Sequence, residues 1–104
     1  MDLNKSKLND TTLSDEQLVK IFKALSDPTR LDILRIIKNH DYYGECACNV
    51  FNDQIDMSQP TMSYHMKMLR EAGLITVRKE AREKFVTINH DLLKSFFPNF
   101  LELL

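Results

Sequence analysis

Cys46-Ala47-Cys48 puts two thiols one residue apart, and thiolates select soft ions such as As(III), Sb(III), Cd(II) or Cu(I). The spacing does not suit a structural disulfide, because two helical residues so placed point to different sides. In a reducing cytosol both remain free thiols. The plainer alternative is a pair of small core residues, since free Cys is commonly buried. A second group of polar chemistry lies just downstream. The run SQPTMSYHMKMLREAGLI, Ser58 to Ile75, sets hydroxyl, amide, phenol and amine side chains on one side of a helix and apolar ones on the other. A helix that rests on a core and also touches base edges needs that split.

The elements that must position these groups follow from local signals. Ser14, with Gln17 three residues on, makes a capping box, and Leu18, Ile21, Phe22 and Leu25 follow at helical spacing. This helix ends near Ser26. Asp27 caps the next one, with Pro28 at its first position. Leu31, Ile33, Leu34, Ile36 and Ile37 make that helix the central buried one. Asn39 to Gly44 reads as a turn, Glu45 to Asn52 as a short helix, and Asp53 to Met57 as a polar link. Ser58 caps the helix that follows. At roughly 100° per residue, Met62, His65, Leu69 and Ala72 share an inner arc. Gln59, Ser63, Lys67 and Arg70 lie opposite, with Tyr64 at the edge. Gly73 supplies a left-handed stop.

Ile75 and Val77 alternate with polar residues, as do Phe85 and its successors up to Asn89, so a hairpin is expected. Its turn, Glu80 to Glu83, lacks Gly and Asn-Gly, which predicts a loop longer and looser than two residues. Asp91 to Leu104 is an apolar segment that Pro98 should kink or divide. Its Phe and Leu side chains exceed what one face can bury in so small a domain, and a leftover apolar face marks an interface. A homodimer built on this segment and on the first helix is the expectation. Residues 1–13 are polar and unpatterned, which predicts a flexible N-terminal arm ahead of a single domain over 14–104. The fold class is mainly α (α+β): a winged helix-turn-helix, with a hairpin wing and dimerisation helices at both ends.

Charge is local. The whole chain has a net charge of −1. Residues 1–57 carry seven Lys/Arg against ten Asp/Glu, a balance of −3, whereas residues 58–84 carry six against three, a balance of +3. The positive stretch coincides with the amphipathic helix and the hairpin. A solvated surface face is the ordinary alternative. No apolar run is long enough to span a bilayer and the N-terminus has no signal-like core, so the expectation is a cytoplasmic protein without membrane association. The chain has only two Gly and no phosphate-cradling loop, and no nucleophile and base are paired, so no catalytic residue is assigned and an enzyme is not expected.

Each polar group then has a chemical role. Ser58 and the first-turn N–H groups, beside Thr61, can hold a phosphate. Gln59 can present its amide to adenine and Ser63 its hydroxyl to a purine, while Tyr64 and Lys67 reach outward. Arg78, Lys79, Arg82 and Lys84 on the wing suit phosphates or the minor groove. His65 sits on the inner arc and reads as a structural histidine. His40 reads as a helix C-terminal histidine, with a third-ligand role as its alternative.

The blocks ALSDPTRLDILRII, GECACNVF, SQPTMSYHMKMLREAGLI and VRKEAREKFVTIN resemble the ArsR/SmtB-type winged-helix repressors over about Leu18 to Asn89. The resemblance implies a dimeric repressor that binds an operator in double-stranded DNA and leaves it when a metal or metalloid binds. It is sharpest toward the arsenic-responsive members, which carry Cys-x-Cys in the short helix before the recognition helix. Cys46 and Cys48 are then the metal site. Some of those members add a third cysteine where this chain has Phe51, which leaves a two-thiol site here. The zinc-type ligand pairs on the last helix are not matched, since His90 and Asp91 have no second pair. Cadmium-type sites draw on N-terminal cysteines, and residues 1–45 contain none.

Two thiols two residues apart on a helix diverge by about 200°. Sharing an ion would therefore unwind that turn and disturb the helix begun at Ser58. No cofactor is required on this reading, and the inducer is As(III), Sb(III) or another soft ion. The alternatives are the same DNA-binding scaffold answering to thiol oxidation or to no metal, and, in another class, a winged-helix module that binds protein.

Overall fold

Each helix begins where a side chain satisfies its first-turn N–H groups. The computed structural model describes residues 13–40, 46–47, 51 and 54–104. Helix α1, Asp15–Leu25, starts at Ser14, whose Oγ accepts from the Gln17 N–H at 3.1 Å. Helix α2, Pro28–His40, starts at Asp27, whose carboxylate accepts from the Arg30 N–H at 3.1 Å. Helix α3, Gln59–Glu71, starts at Ser58, whose Oγ accepts from the Thr61 N–H at 3.3 Å. Such caps are each worth about 1 kcal/mol.

Helix α3 ends as its glycine requires. Gly73 has φ +81°, its N–H donates to the Arg70 carbonyl, and the Leu74 N–H donates to the Leu69 carbonyl. These two bonds make a Schellman motif, and Leu69 and Leu74, both fully buried, supply its apolar contact. The chain then enters β2, Ile75–Glu80, and returns through β3, Glu83–Ile88, in register from Ile75 opposite Ile88 to Glu80 opposite Glu83. Asn89 ties the hairpin's end to the end of α3. Its N–H donates to the Leu74 carbonyl, its side-chain amide donates to the Gly73 carbonyl, and its Oδ1 caps the Leu92 N–H of α4, His90–Phe96. Pro98 divides the apolar C-terminal segment as expected, and a 3₁₀ turn, Phe100–Leu103, follows. The Lys38 ammonium of α2 donates to the Leu101 carbonyl at 2.8 Å and holds that turn against α2.

The core gathers Ile21 and Ala24 of α1, Ile33, Leu34, Ile36 and Ile37 of α2, Leu69 of α3, and Ile75, Val86 and Ile88 of the sheet. Helix α2 is the central buried helix that its sequence implies. The architecture is a winged helix-turn-helix, mainly helical with a hairpin wing.

Two local expectations are corrected. The hairpin turn is tight: only Ala81 and Arg82 separate the strands. Ala81 has φ +55°, so a non-glycine residue adopts the left-handed backbone that a two-residue connection demands. The segment read as a helix from Glu45 to Asn52 begins instead with a strand. Cys46–Ala47 forms β1 and pairs antiparallel with β3, Cys46 opposite Val86 and Ala47 opposite Phe85. The sheet order is β1-β3-β2. Phe51, within the expected helix, is helical, and the Ile55 N–H donates to its carbonyl at 2.8 Å; residues 48–50 and 52–53 lie outside the described ones. The inward residues of β3 are Val86 and Ile88, so Phe85 lies on the opposite face from the one that meets the core. The arm expected over 1–13 lies outside the described residues except for Leu13, which is half-buried against the core.

Candidate nucleic-acid interface

The two faces of α3 separate as its periodicity requires. Met62, His65 and Leu69 are buried, and Gln59, Thr61, Ser63, Tyr64, Lys67 and Arg70 are exposed. Tyr64 is 55% exposed, unusually open for a tyrosine, and its ring meets the edge of the His65 ring at 5.6 Å. The outer row therefore presents hydroxyl, phenol and amine groups from a helix whose inner row is fixed in the core.

The helix start is less open to a phosphate than its position suggests. Pro60 has no N–H, and the Thr61 N–H is taken by Ser58 Oγ. The Ser58 hydroxyl in turn donates to Thr61 Oγ1 at 2.9 Å. Ser58 and Thr61 thus form a closed pair whose first job is to start the helix, and the unengaged outer side chains lie farther along α3.

The wing is basic and strained. Lys79, Arg82 and Lys84 are exposed, and Lys79 stands opposite Lys84 in the β2–β3 register. Arg78 is held more firmly. Its guanidinium lies over the Phe85 ring at 4.8 Å and bonds the Glu80 carboxylate at 2.7 Å. Phe85 therefore acts as a platform for Arg78 on the outer face of the sheet. Among the described residues, Lys67 and Arg70 of α3 and Lys79, Arg82 and Lys84 of the wing make no ion pair.

Cys46 begins β1 beside the wing strand, and Cys48 lies outside the described residues. Among the described residues no group of three or more His, Cys, Asp or Glu could hold a metal ion. His40 is engaged with its own helix: its Nδ1 donates to the Ile36 carbonyl at 2.9 Å. His65 is a core residue, as its arc implies.

One buried residue was not singled out by the sequence reading. Arg30 is only 7% exposed, and its guanidinium donates to the Ala24 and Lys23 carbonyls at 2.8 and 3.0 Å and to His65 Nδ1 at 3.0 Å. The signal was present. Arg30 lies three, four and seven residues before Ile33, Leu34 and Ile37, on the arc that α2 buries.

Comparison with known proteins agrees with this geometry. A helix-turn-helix domain model matches residues 25–78. A Bacillus subtilis protein, the uncharacterized HTH-type transcriptional regulator YceK, is 41% identical over 92 residues, covering 88% of this chain and 90% of the relative. An arsenical resistance operon repressor of Staphylococcus xylosus is 40% identical over 82 residues, covering 78% of this chain and 74% of that repressor. Among solved structures, an ArsR family transcriptional regulator superposes with a TM-score of 0.71 at 26% identity, covering 88% of this chain and 90% of that one. No helix among the described residues is long and apolar enough to cross a membrane.

Proposed function

The chain belongs to the ArsR/SmtB-type family of winged helix-turn-helix transcriptional regulators, and from that premise we propose a cytoplasmic homodimeric repressor that a thiophilic metalloid releases from its operator. Helix α3 enters the major groove, with Gln59, Ser63, Tyr64 and Lys67 facing base edges and backbone. Lys79, Arg82 and Lys84 of the wing meet neighbouring phosphates, and Arg78 follows once Glu80 releases it. The observation that carries this reading is the clean division of α3 into a buried Met62–His65–Leu69 row and an exposed polar one.

The dimer rests on an open apolar surface shared by the two ends of the described chain. Val19 and Phe22 of α1 are 49% and 59% exposed, and Phe97 and Leu103 are 43% and 66% exposed. Phe22 meets Phe96 edge-on at 5.4 Å, so the two parts form one surface. A second copy of the chain covers it, and a two-fold dimer places two α3 helices one DNA turn apart, about 34 Å.

The inducer site is Cys46 with Cys48, and the ions are As(III) or Sb(III). Support comes from the arsenical resistance repressors among the relatives and from the place of Cys46 in the fold. Its strand is paired to β3, so a ligand that pulls on Cys46 pulls on the wing before it reaches α3. That differs from the helix unwinding which the spacing alone implied. The ligand needs to favour the DNA-free arrangement by about 1–3 kcal/mol to weaken the operator about 5- to 150-fold.

The test begins with recovery of an operator from a random duplex pool by the purified full chain. Arsenite, antimonite, cadmium, zinc and peroxide are then added in parallel to the complex, with a Cys46→Ser/Cys48→Ser variant alongside. Release by arsenite in the native chain and not in the variant is the expected outcome. A complex that arsenite leaves intact, or a variant that still responds, removes the metalloid reading. Release by peroxide alone assigns the thiols to redox sensing.

A further inference from the structure

Arg30 occupies a place where its charge has no local justification. It sits in the first turn of α2, where that helix's own dipole disfavours a cation. Yet it is buried, and a buried guanidinium must spend its donors well. It spends them across three helices. Nε and Nη2 bond the Ala24 and Lys23 carbonyls in the last turn of α1, where the dipole favours positive charge. Nη1 bonds His65 Nδ1 of α3. A guanidinium carries only donors, so Nδ1 accepts and the ring's proton resides on Nε2. Asp27 completes the corner. Its Oδ2 accepts from the Arg30 N–H at 3.1 Å and lies 4.0 Å from His65 Nδ1.

The other inward residues of α3, Met62 and Leu69, are apolar, and their non-directional contacts leave rotation about the helix axis loosely specified. A hydrogen bond to one ring nitrogen does not. His65 also touches the Tyr64 ring, so the chain of contacts runs from the end of α1, through Arg30 and His65, to the exposed row of α3.

We propose that Arg30 is a positioning residue for base recognition: through Nδ1 of His65 it fixes the rotation of α3 about its axis, and hence the direction in which Ser63, Tyr64 and Lys67 point. The pair acts on sequence discrimination more than on affinity for DNA in general, because the wing cations do not depend on it. This rests on the operator-binding reading above.

Two substitutions at His65 separate positioning from bulk. His65→Asn keeps an acceptor on the γ atom, close to where Nδ1 sits. His65→Leu keeps volume and accepts nothing. Both are compared with the native full chain at a temperature where circular dichroism shows them folded, on the recovered operator and on random duplex. His65→Asn is expected to bind the operator within about threefold of the native chain, and His65→Leu about tenfold more weakly or worse. Binding to random duplex stays level in both. Equal operator loss in the two variants, or no loss in His65→Leu, overturns the proposal. Should His65→Leu fail to fold, nitrogen NMR of the native His65 ring decides, and a ring carrying its proton on Nδ1 overturns it. A native chain that binds no duplex at all refutes operator binding itself, whereas native binding with equal loss in both variants refutes only the positioning role.

Discussion

Lys79→Ala should weaken binding to every DNA sequence by nearly the same factor. The side chain is exposed on β2 and faces Lys84 across the ladder, and like charges directly opposite disfavour the hairpin. Removing one of them leaves the wing folded, so the effect on DNA is not an effect of unfolding. Lys67 of α3 and Lys79, Arg82 and Lys84 of the wing are exposed cations that make no ion pair among the described residues. If a dimer places all of them on phosphates, about eight contacts give a slope of log K against log [salt] near −7, at about −0.9 per contact. The variant loses one contact per subunit, so its slope becomes shallower by about 2, and the affinity at 0.15 M salt falls by about thirtyfold. Fluorescence anisotropy on operator and scrambled duplexes, between roughly 50 and 300 mM salt, reads both quantities. A loss confined to the operator, or a weakened complex with an unchanged slope, would refute the assignment of the wing to phosphates.

Three further substitutions probe the fold that presents the site. Gly73→Ala must hold φ +81° with a Cβ placed 3.3 Å from Leu92 Cδ2. It should destabilise by about 1–2 kcal/mol and lower Tm by roughly 4–16 °C, and an unchanged melt would show that α3 ends differently. Ala81→Gly relieves the positive φ at the wing tip and should raise stability by about 0.5–1 kcal/mol in urea titration, whereas a loss would argue against the two-residue turn. Phe22→Ser changes an exposed residue of the proposed dimer surface, so sedimentation should show a folded monomer, and a dimer unchanged at micromolar concentration would relocate that interface.

Much of the architecture is legible because local chemistry and tertiary demand agree. Ser14, Asp27 and Ser58 each announce a helix start and each accept a first-turn N–H in the fold. The 3.6-residue period placed His65 with Met62 and Leu69 and left Ser63, Tyr64 and Lys67 outside. The failures have physical causes. The Ala81 turn carries no glycine signal, because the β2–β3 pairing imposes a backbone that its own sequence does not favour. The strand at Cys46 exists only because β3 offers an open edge more than thirty residues later, a long-range pairing that no local window contains. Arg30 escaped for the opposite reason. It lies on a buried arc in plain view, but its partners are the end of α1 and a histidine thirty-five residues away.

The site is less uniformly legible than the fold. The residues proposed to face bases are those exposed on one side of a helix, a property that periodicity reveals. The wing cations were identified by charge alone, and the structure distinguishes among them. Arg78 is held by Glu80 and Phe85, whereas Lys79, Arg82 and Lys84 stand in solvent.

In the proposed complex the outer row of α3 lies against bases. Replacing Tyr64, which is 55% exposed, with the photoreactive benzoyl analogue of phenylalanine puts a probe in that row at a position whose added ring extends away from the core. Irradiated on the operator, the probe should attach to a base in the major groove of each half-site, and arsenite added beforehand should abolish the attachment. Operator that is bound while the probe attaches only to protein would contradict the account, since it would mean that this face of α3 is covered by a subunit and never meets DNA.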